Sequence, residues 1–245
     1  MGDDLRKMKT CLIRQPAGLG DIFFTQKIAK EILKEKKADQ VIWPVIKEYS
    51  YLSKYLLGEK IFYIDENESF PFQEIYTSDP HYIINNEELL YLPIQRAPAT
   101  NCPIMQAKYR LVNIPYEDWK IFFEFKRNLE REAYLEKYLD ITNEPFNLIN
   151  NNFGSKNSNR DNRIFFKDIK NGYKNIRMDY NDFDNVFGWI GLMERAVEIH
   201  TVDTAWCYLL EKMNKQKVTV YAREKNESFF CYVRDIFNTK WTYVL

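Results

Sequence analysis

The sequence predicts an α/β protein made of two small, doubly wound lobes, each with a parallel sheet. Three observations predict it. Short apolar runs alternate with amphipathic helical stretches, the pattern that packs helices on both faces of a parallel sheet. The first apolar run leads through a glycine-containing turn into a helix. The same strand–loop–helix pattern then restarts at Phe146, after a helix that closes the first series near residue 140. A chain of 245 residues can hold two domains of roughly 120 residues each.

Each element has a local reason. Thr10–Arg14 is a short apolar run fit for a buried strand, and the run from Gln15 to Gly20 breaks it with Pro16, Gly18 and Gly20. After Asp21, residues Phe24, Ile28, Ala29, Ile32 and Leu33 share one helical face, and Lys34–Lys37 brings cations to the end where the helix dipole favours them. Gln40–Val45 is the next strand, Tyr49–Leu57 a helix stopped by Gly58, and Lys60–Ile64 a third strand. Ile83–Ile84 and Leu89–Leu92 read as short strands, 93–104 as a proline-rich loop, Met105–Leu111 as a helix. In Asn128–Leu139 the inward residues are expected to be Leu129, Ala133, Leu135 and Leu139.

The second series opens with the strand Phe146–Ile149 and a polar loop, Asn150–Ser155, followed by an exposed excursion over 156–163. Ile164–Phe166 and Asn175–Met178 are strand candidates, and Val186–Ala196 is a helix. Glu198–Val202 is a strand, Asp203 a helix cap, Thr204–Met213 a helix, Val218–Tyr221 a strand and Phe229–Ile236 a last helix. The lobes are therefore 1–140 and 141–245, with the last helix a candidate to cross back to the first lobe. In such folds ligands sit at the carboxyl ends of strands and between lobes.

Composition narrows the function. The charge is balanced, 35 basic against 35 acidic residues, with no basic stripe of the kind nucleic acid requires. No apolar run approaches the roughly 20 residues of a membrane helix. The polar segment Met1–Lys9 lacks the apolar region of a signal peptide. A cytoplasmic protein without a transmembrane segment is expected. Cys11, Cys102, Cys207 and Cys231 lie far apart, so free thiols are expected. Aromatic residues make up 16%. Most belong to core and surface packing, although carbohydrate sites also use aromatic faces.

Three constellations could carry chemistry. Gly18-Leu19-Gly20-Asp21 stands between a strand and a helix, where glycines admit a ligand close to the backbone and helix N–H groups are free. Asp21 there is either a simple cap or a catalytic carboxylate. The motif is neither a dinucleotide fingerprint nor a P-loop. Glu198-Ile199-His200-Thr201-Val202-Asp203-Thr204-Ala205 runs a strand into a helix with Asp and Thr at the turn, a natural phosphate seat or a plain cap. His200, inside the strand, reads as structural. Asp182-Phe183-Asp184 could hold a divalent metal, but Asn181 and Asn185 flank it as in a solvated turn. With only two histidines and no clustered cysteines, a zinc site is not expected.

Leu12–Leu56, centred on Gly18-Leu19-Gly20-Asp21, resembles the N-terminal lobe of heptosyltransferase-like (glycosyltransferase family nine) enzymes. Glu194–Tyr221 is similar to their C-terminal signature, in which an Asp-Ser-Gly turn after a strand starts a helix and is followed by a Val-rich strand. Here the turn is Asp203-Thr204-Ala205 and the strand Val218–Tyr221. The two stretches cover about a third of the chain, and their order and separation add specificity. Ala205 stands for the family's Gly, Tyr208 stands near a position where the family often has His, and residues 65–130 match nothing in the family.

The resemblance implies a GT-B type fold, two Rossmann-like lobes facing a central cleft, and transfer of a sugar from a nucleotide-sugar donor to a carbohydrate or glycolipid acceptor. It gives Asp21 the role of general base and places donor phosphates at Asp203 and Thr204. Lys156 and Arg223 are the candidates for a basic residue on the diphosphate. The expected binding set is Gly18, Gly20, Gly154, Ser155, Lys156, Asp203, Thr204, Ala205 and Arg223, with no metal and no cofactor. Two other readings stand beside it: a nucleotide-sugar-binding module with a decayed active site, and a metal-dependent GT-A glycosyltransferase using Asp182 and Asp184.

Overall fold

The computed structural model describes residues 8–99, 103–141, 143–152, 168–178, 185–222, 236–237 and 240–244. The chain divides into two compact units, 1–125 and 126–245. The helix that a boundary near 140 assigns to the first lobe therefore belongs to the second unit.

In the first unit, β1 (Thr10–Ile13), β2 (Gln40–Val45), β3 (Ile61–Asp65), β4 (Ile84–Asn85) and β5 (Leu89–Leu92) form one sheet in the order β3-β2-β1-β5-β4. All pairings are parallel except that of β4 with β5. Burial on both faces explains the continuous apolar runs of β1 and β5. Pro44 is tolerated within β2 because the pairing with β1 ends at Ile42, before the missing N–H would matter.

The helix expected after Asp21 is two helices, α1 (Leu19–Phe24) and α2 (Gln26–Lys34). Thr25 interrupts them: its hydroxyl donates to Asp21 O at 2.7 Å, the back-bonding that bends helices. The helix expected over Tyr49–Leu57 shrinks to α3 (Leu52–Tyr55), preceded by a 3₁₀ turn at Lys47–Tyr49. Tertiary pairing takes its end, because Leu57 N–H donates to Glu124 O and Leu56 bridges to Phe125. Two short helices carry no clear signal in the sequence, α4 (Gln73–Ser78) and α6 (Trp119–Phe122). Both are held by aromatic packing: Tyr76 of α4 lies in the core with Phe70 and Tyr91, and Trp119 of α6 packs on Phe24. Between them α5 (Ile104–Leu111) forms as its periodicity predicts.

The second unit begins with α7 (Leu129–Tyr138), capped by Asn128, whose side chain accepts from Arg131 N–H. Its inward face departs from the apolar pattern. Leu129 is 66% exposed and Ala133 also faces water, while Leu135 and Glu132 are buried. The carboxylate is accommodated because Arg127 grips both its oxygens and Gly191 of α8 (Ile190–Arg195) leaves room; a Cβ there would stand 2.7 Å from Glu132 Oε2.

The second sheet runs β10-β9-β8-β6-β7, wholly parallel, from β6 (Phe146–Asn150), β7 (Lys174–Arg177), β8 (Glu198–Val202), β9 (Val218–Tyr221) and β10 (Thr242–Val244). Strand β10 had no counterpart in the sequence reading. Helix α9 (Ala205–Lys212) follows β8 directly. Val186–Ala196 is a 3₁₀ turn, Val186–Trp189, leading into α8. The expected strand Ile164–Phe166 and nearly all of the expected last helix, Phe229–Ile236, lie outside the described residues.

Cys11 and Cys207 are buried thiols outside any disulfide, and burial pushes the Cys11 thiol far up. Among the described residues no helix is long and apolar enough to cross a membrane. Because Glu132 is buried, Arg127→Ala should destabilise the fold by about 1–3 kcal/mol, the cost of leaving such a group unpaired. Denaturant unfolding checks this, and a loss under about 0.5 kcal/mol, the range of ordinary surface substitutions, contradicts it.

Candidate functional site

Both sheets have a point where the strand order reverses. In the first unit it lies between β1 and β5; in the second it lies between β6 and β8. Loops leaving the carboxyl ends of two such strands diverge to opposite faces and leave a crevice, the usual seat of a ligand in open α/β sheets. A polar cluster occupies each of these points.

In the first unit the loop after β1 turns at Gly18, which has φ 78° and precedes the first residue of α1. Asp21 is consequently not the cap. It is the third residue of α1, and its side chain folds back so closely that a Cβ on Gly18 would collide with Asp21 Oδ2. Asp21 Oδ1 lies 3.1 Å from the ammonium of Lys108, on α5. Lys108 is almost wholly buried and also donates to Gln15 Oε1 at 2.6 Å and to Ile94 O at 3.4 Å. Gln15 is held in turn by donating to Ala17 O and by accepting from Trp43 Nε1 at its carbonyl. Burial pushes the Tyr49 phenol up; a backbone hydrogen bond with Leu19 opposes this, and the charges of Asp21 and Glu48 add to it. Gly20 is the second residue of α1.

In the second unit the corresponding cluster joins the ends of β6 and β8. Asn150, fully buried, donates from Nδ2 to Thr201 Oγ1 at 3.0 Å and to Thr204 Oγ1 at 3.4 Å. Its own Oδ1 accepts from Asn152 N–H, and Asn152 Nδ2 donates to Met178 O. Thr204, not Asp203, caps α9: its hydroxyl oxygen accepts from Trp206 N–H at 3.3 Å. Asp203 is buried one residue earlier, with its N–H on Tyr221 O. A threonine hydroxyl has two lone pairs and one proton. With both lone pairs of Thr204 facing N–H donors, its proton is left to donate, and the ligand group it suits is an acceptor such as a phosphate oxygen.

Among the described residues no group of three or more His, Cys, Asp and Glu could hold a metal. Gly154, Ser155, Lys156, Asp182, Asp184 and Arg223 lie outside the described residues. His200 sits in β8 with Glu198 Oε1 2.8 Å from its Nε2 and the Tyr221 hydroxyl 3.0 Å from its Nδ1, in keeping with a structural histidine. A surface depression lined by Lys30, Leu33, Leu57, Ile61 and Glu124 shares no residue with either cluster.

No protein-family model matches the chain, and a comparison with curated sequences finds no match. In three dimensions it is similar to a glycosyl transferase of family 9 from Veillonella parvula DSM 2008. The TM-score is 0.59 at 10% identity, covering 97% of this chain and 87% of the other. The chain has the fold of a family 9 glycosyltransferase. It is also similar to TibC, a bacterial iron-containing dodecameric glycosyltransferase from enterotoxigenic E. coli H10407, with a TM-score of 0.51 at 7% identity over 89% of this chain. The chain spans 59% of TibC.

Of the residues the sequence singles out, Gly18, Asp21, Asp203 and Thr204 lie in these two clusters, and the structure adds Gln15, Lys108, Asn150 and Asn152 to them. Lys108 lies on α5, 87 residues after Asp21 in the sequence, so no local spacing links them. Asn150 did leave a signal: a polar residue ending an otherwise apolar strand.

Four substitutions, one of them a control, test these clusters. Gly18→Ala meets both a positive φ and the Asp21 carboxylate, whereas Gly172 has φ 87° and open space around it. Gly172→Ala should cost about 1 kcal/mol and Gly18→Ala clearly more; equal shifts in melting temperature contradict the collision. Thr204→Val should lose about 1 kcal/mol of capping energy. Asp203→Ala should leave the α9 cap in place, which amide exchange at Trp206 N–H reports.

Proposed function

We propose that this chain is a glycosyltransferase that moves a sugar from a nucleotide-diphosphate donor to a carbohydrate or glycolipid acceptor, without a metal, with Asp21 as general base. The observation that carries the reading is the Thr204 hydroxyl, turned to donate beside the first turn of α9 at a strand-order reversal, in a chain with a glycosyltransferase fold. A helix N-terminus with a donating hydroxyl suits the charge that grows on a departing diphosphate.

In the proposed step the acceptor oxygen bonds to the anomeric carbon of the donor sugar. The bond from that carbon to the diphosphate oxygen breaks, and its electron pair leaves with the diphosphate. The acceptor hydroxyl proton passes to the Asp21 carboxylate. Thr204 and the N–H groups of the α9 first turn receive the diphosphate charge, with Lys156 or Arg223 as the candidate cation beside it. Asp203 orders the turn from β8. Gly18 leaves room for the Asp21 carboxylate and Gly20 is the acceptor-side candidate, while Gly154, Ser155 and Ala205 are the candidates for the donor side.

The test is Asp21→Asn. Turnover should fall by about 10²-fold or more while nucleotide affinity is retained. The variant also removes the counter-charge of buried Lys108, so a stability loss of about 1–3 kcal/mol accompanies it; turnover is therefore measured well below the melting temperature. Excess EDTA should leave the parent's rate unchanged. Turnover of Asp21→Asn within a few-fold of the parent removes Asp21 as the base. Reversible loss on chelation shifts the reading to a metal-dependent transferase, and a parent that binds nucleotide sugars but turns none over is a binding module.

A further inference from the structure

The first unit buries a charged group beside Asp21 that the transfer step does not use. Lys108 reaches the end of β1 from α5, and its three ammonium protons face three oxygens: Gln15 Oε1 at 2.6 Å, Asp21 Oδ1 at 3.1 Å and Ile94 O at 3.4 Å. An ammonium has three donors and no acceptor, so this set is complete. Each oxygen comes from a different segment: Gln15 from the loop after β1, Asp21 from α1, Ile94 from the turn after β5. Those segments bound the crevice between β1 and β5.

The two Asp21 oxygens are thereby made unequal. Oδ1 is engaged by the ammonium, and Oδ2 lies against the bare Cα of Gly18. Asp21 side-chain exposure is 32% against 3% for Lys108, so a partly solvated carboxylate is paired with a buried cation.

Resting on the transfer reading above, we propose that Lys108 is a positioning residue for the reaction: it fixes the Asp21 carboxylate by one oxygen and so presents the other to the acceptor hydroxyl. Lys108 does not touch the substrates. Its ammonium keeps Asp21 from rotating toward the loop and keeps Gln15 from competing for the same oxygen. Gln15, pinned by Ala17 O and Trp43, sets where the ammonium can sit. The acceptor proton then goes to the oxygen that Lys108 does not hold.

The experiment measures release of nucleoside diphosphate from UDP-glucose, GDP-mannose and ADP-glucose, with kcat and donor KM determined separately on whichever donor the parent uses. Lys108→Met keeps the apolar stem and removes the ammonium. It should lower kcat by roughly 10–10²-fold, the scale set by misplacing a catalytic group by about 1 Å, with donor KM nearly unchanged. Added ammonium ion, which fits the place of the lost head group, should restore part of the lost kcat, which a purely structural lysine does not predict.

Gln15→Met keeps the ammonium but removes one of its anchors. It should lower kcat by a smaller factor in the same direction, and it serves where Lys108→Met does not fold. A parent that turns over no donor defeats the transfer reading, and the positioning role with it. A parent that turns over, beside Lys108→Met or Gln15→Met variants that match it or lose only KM, defeats the positioning role alone.

Discussion

Both candidate clusters follow from one constraint, that a central parallel strand must be paired on both sides. β1 lies between β2 and β5, and β6 between β7 and β8. A parallel neighbour cannot be reached by a tight hairpin, so the chain crosses over each time through a helix or a long loop. When the crossover changes side, two loops leave neighbouring strand ends in opposite directions and cannot cover the space between them. The backbone therefore creates two recesses before any side chain is specified.

What fills those recesses differs between the units. In the first it is charge: a buried ammonium, a half-exposed carboxylate and an amide between them. In the second it is neutral polarity, an asparagine and threonine network in which the hydroxyl of Thr204 keeps its proton to give. In the proposed transfer the first cluster would take the proton and the second would receive the anion. Elsewhere the same economy of buried charge recurs. Lys27 is satisfied by Pro115 O and Asp118, and Glu132 by Arg127, each tying a helix to a neighbouring segment. Unpaired, any of these groups would cost more than its burial gains.

The strands were readable because their signal is local. Gln40–Val45, Glu198–Val202, Leu89–Leu92 and Val218–Tyr221 coincide with observed strands. Helix detail was less readable, since tertiary contacts set it. Thr25 breaks a continuous apolar stripe with one hydroxyl, and Glu124 and Phe125 cut short the helix after Tyr49. In α7 the apolar periodicity misled, because a paired carboxylate took an inward place that Leu129 seemed to claim. The site was half legible for the same reason. A glycine turn and a threonine cap announce themselves within a few residues, whereas Lys108 meets Asp21 only because α5 folds back over the end of β1. Part of the aromatic abundance is packing: Phe23, Phe24, Tyr109, Trp119 and Phe123 pack face-on or edge-on within the first unit.

Among the described residues, two buried thiols give each unit its own reporter. Cys11 lies in the middle of the first sheet, and Cys207 lies in α9 with its Sγ toward Val202 O. Neither can meet an alkylating reagent until the unit around it opens. Peptide-resolved alkylation along a denaturant series therefore follows the opening of the two units separately, in a single unaltered polypeptide. It reveals whether they melt as one cooperative body or in sequence, and whether a nucleotide sugar protects one unit or both.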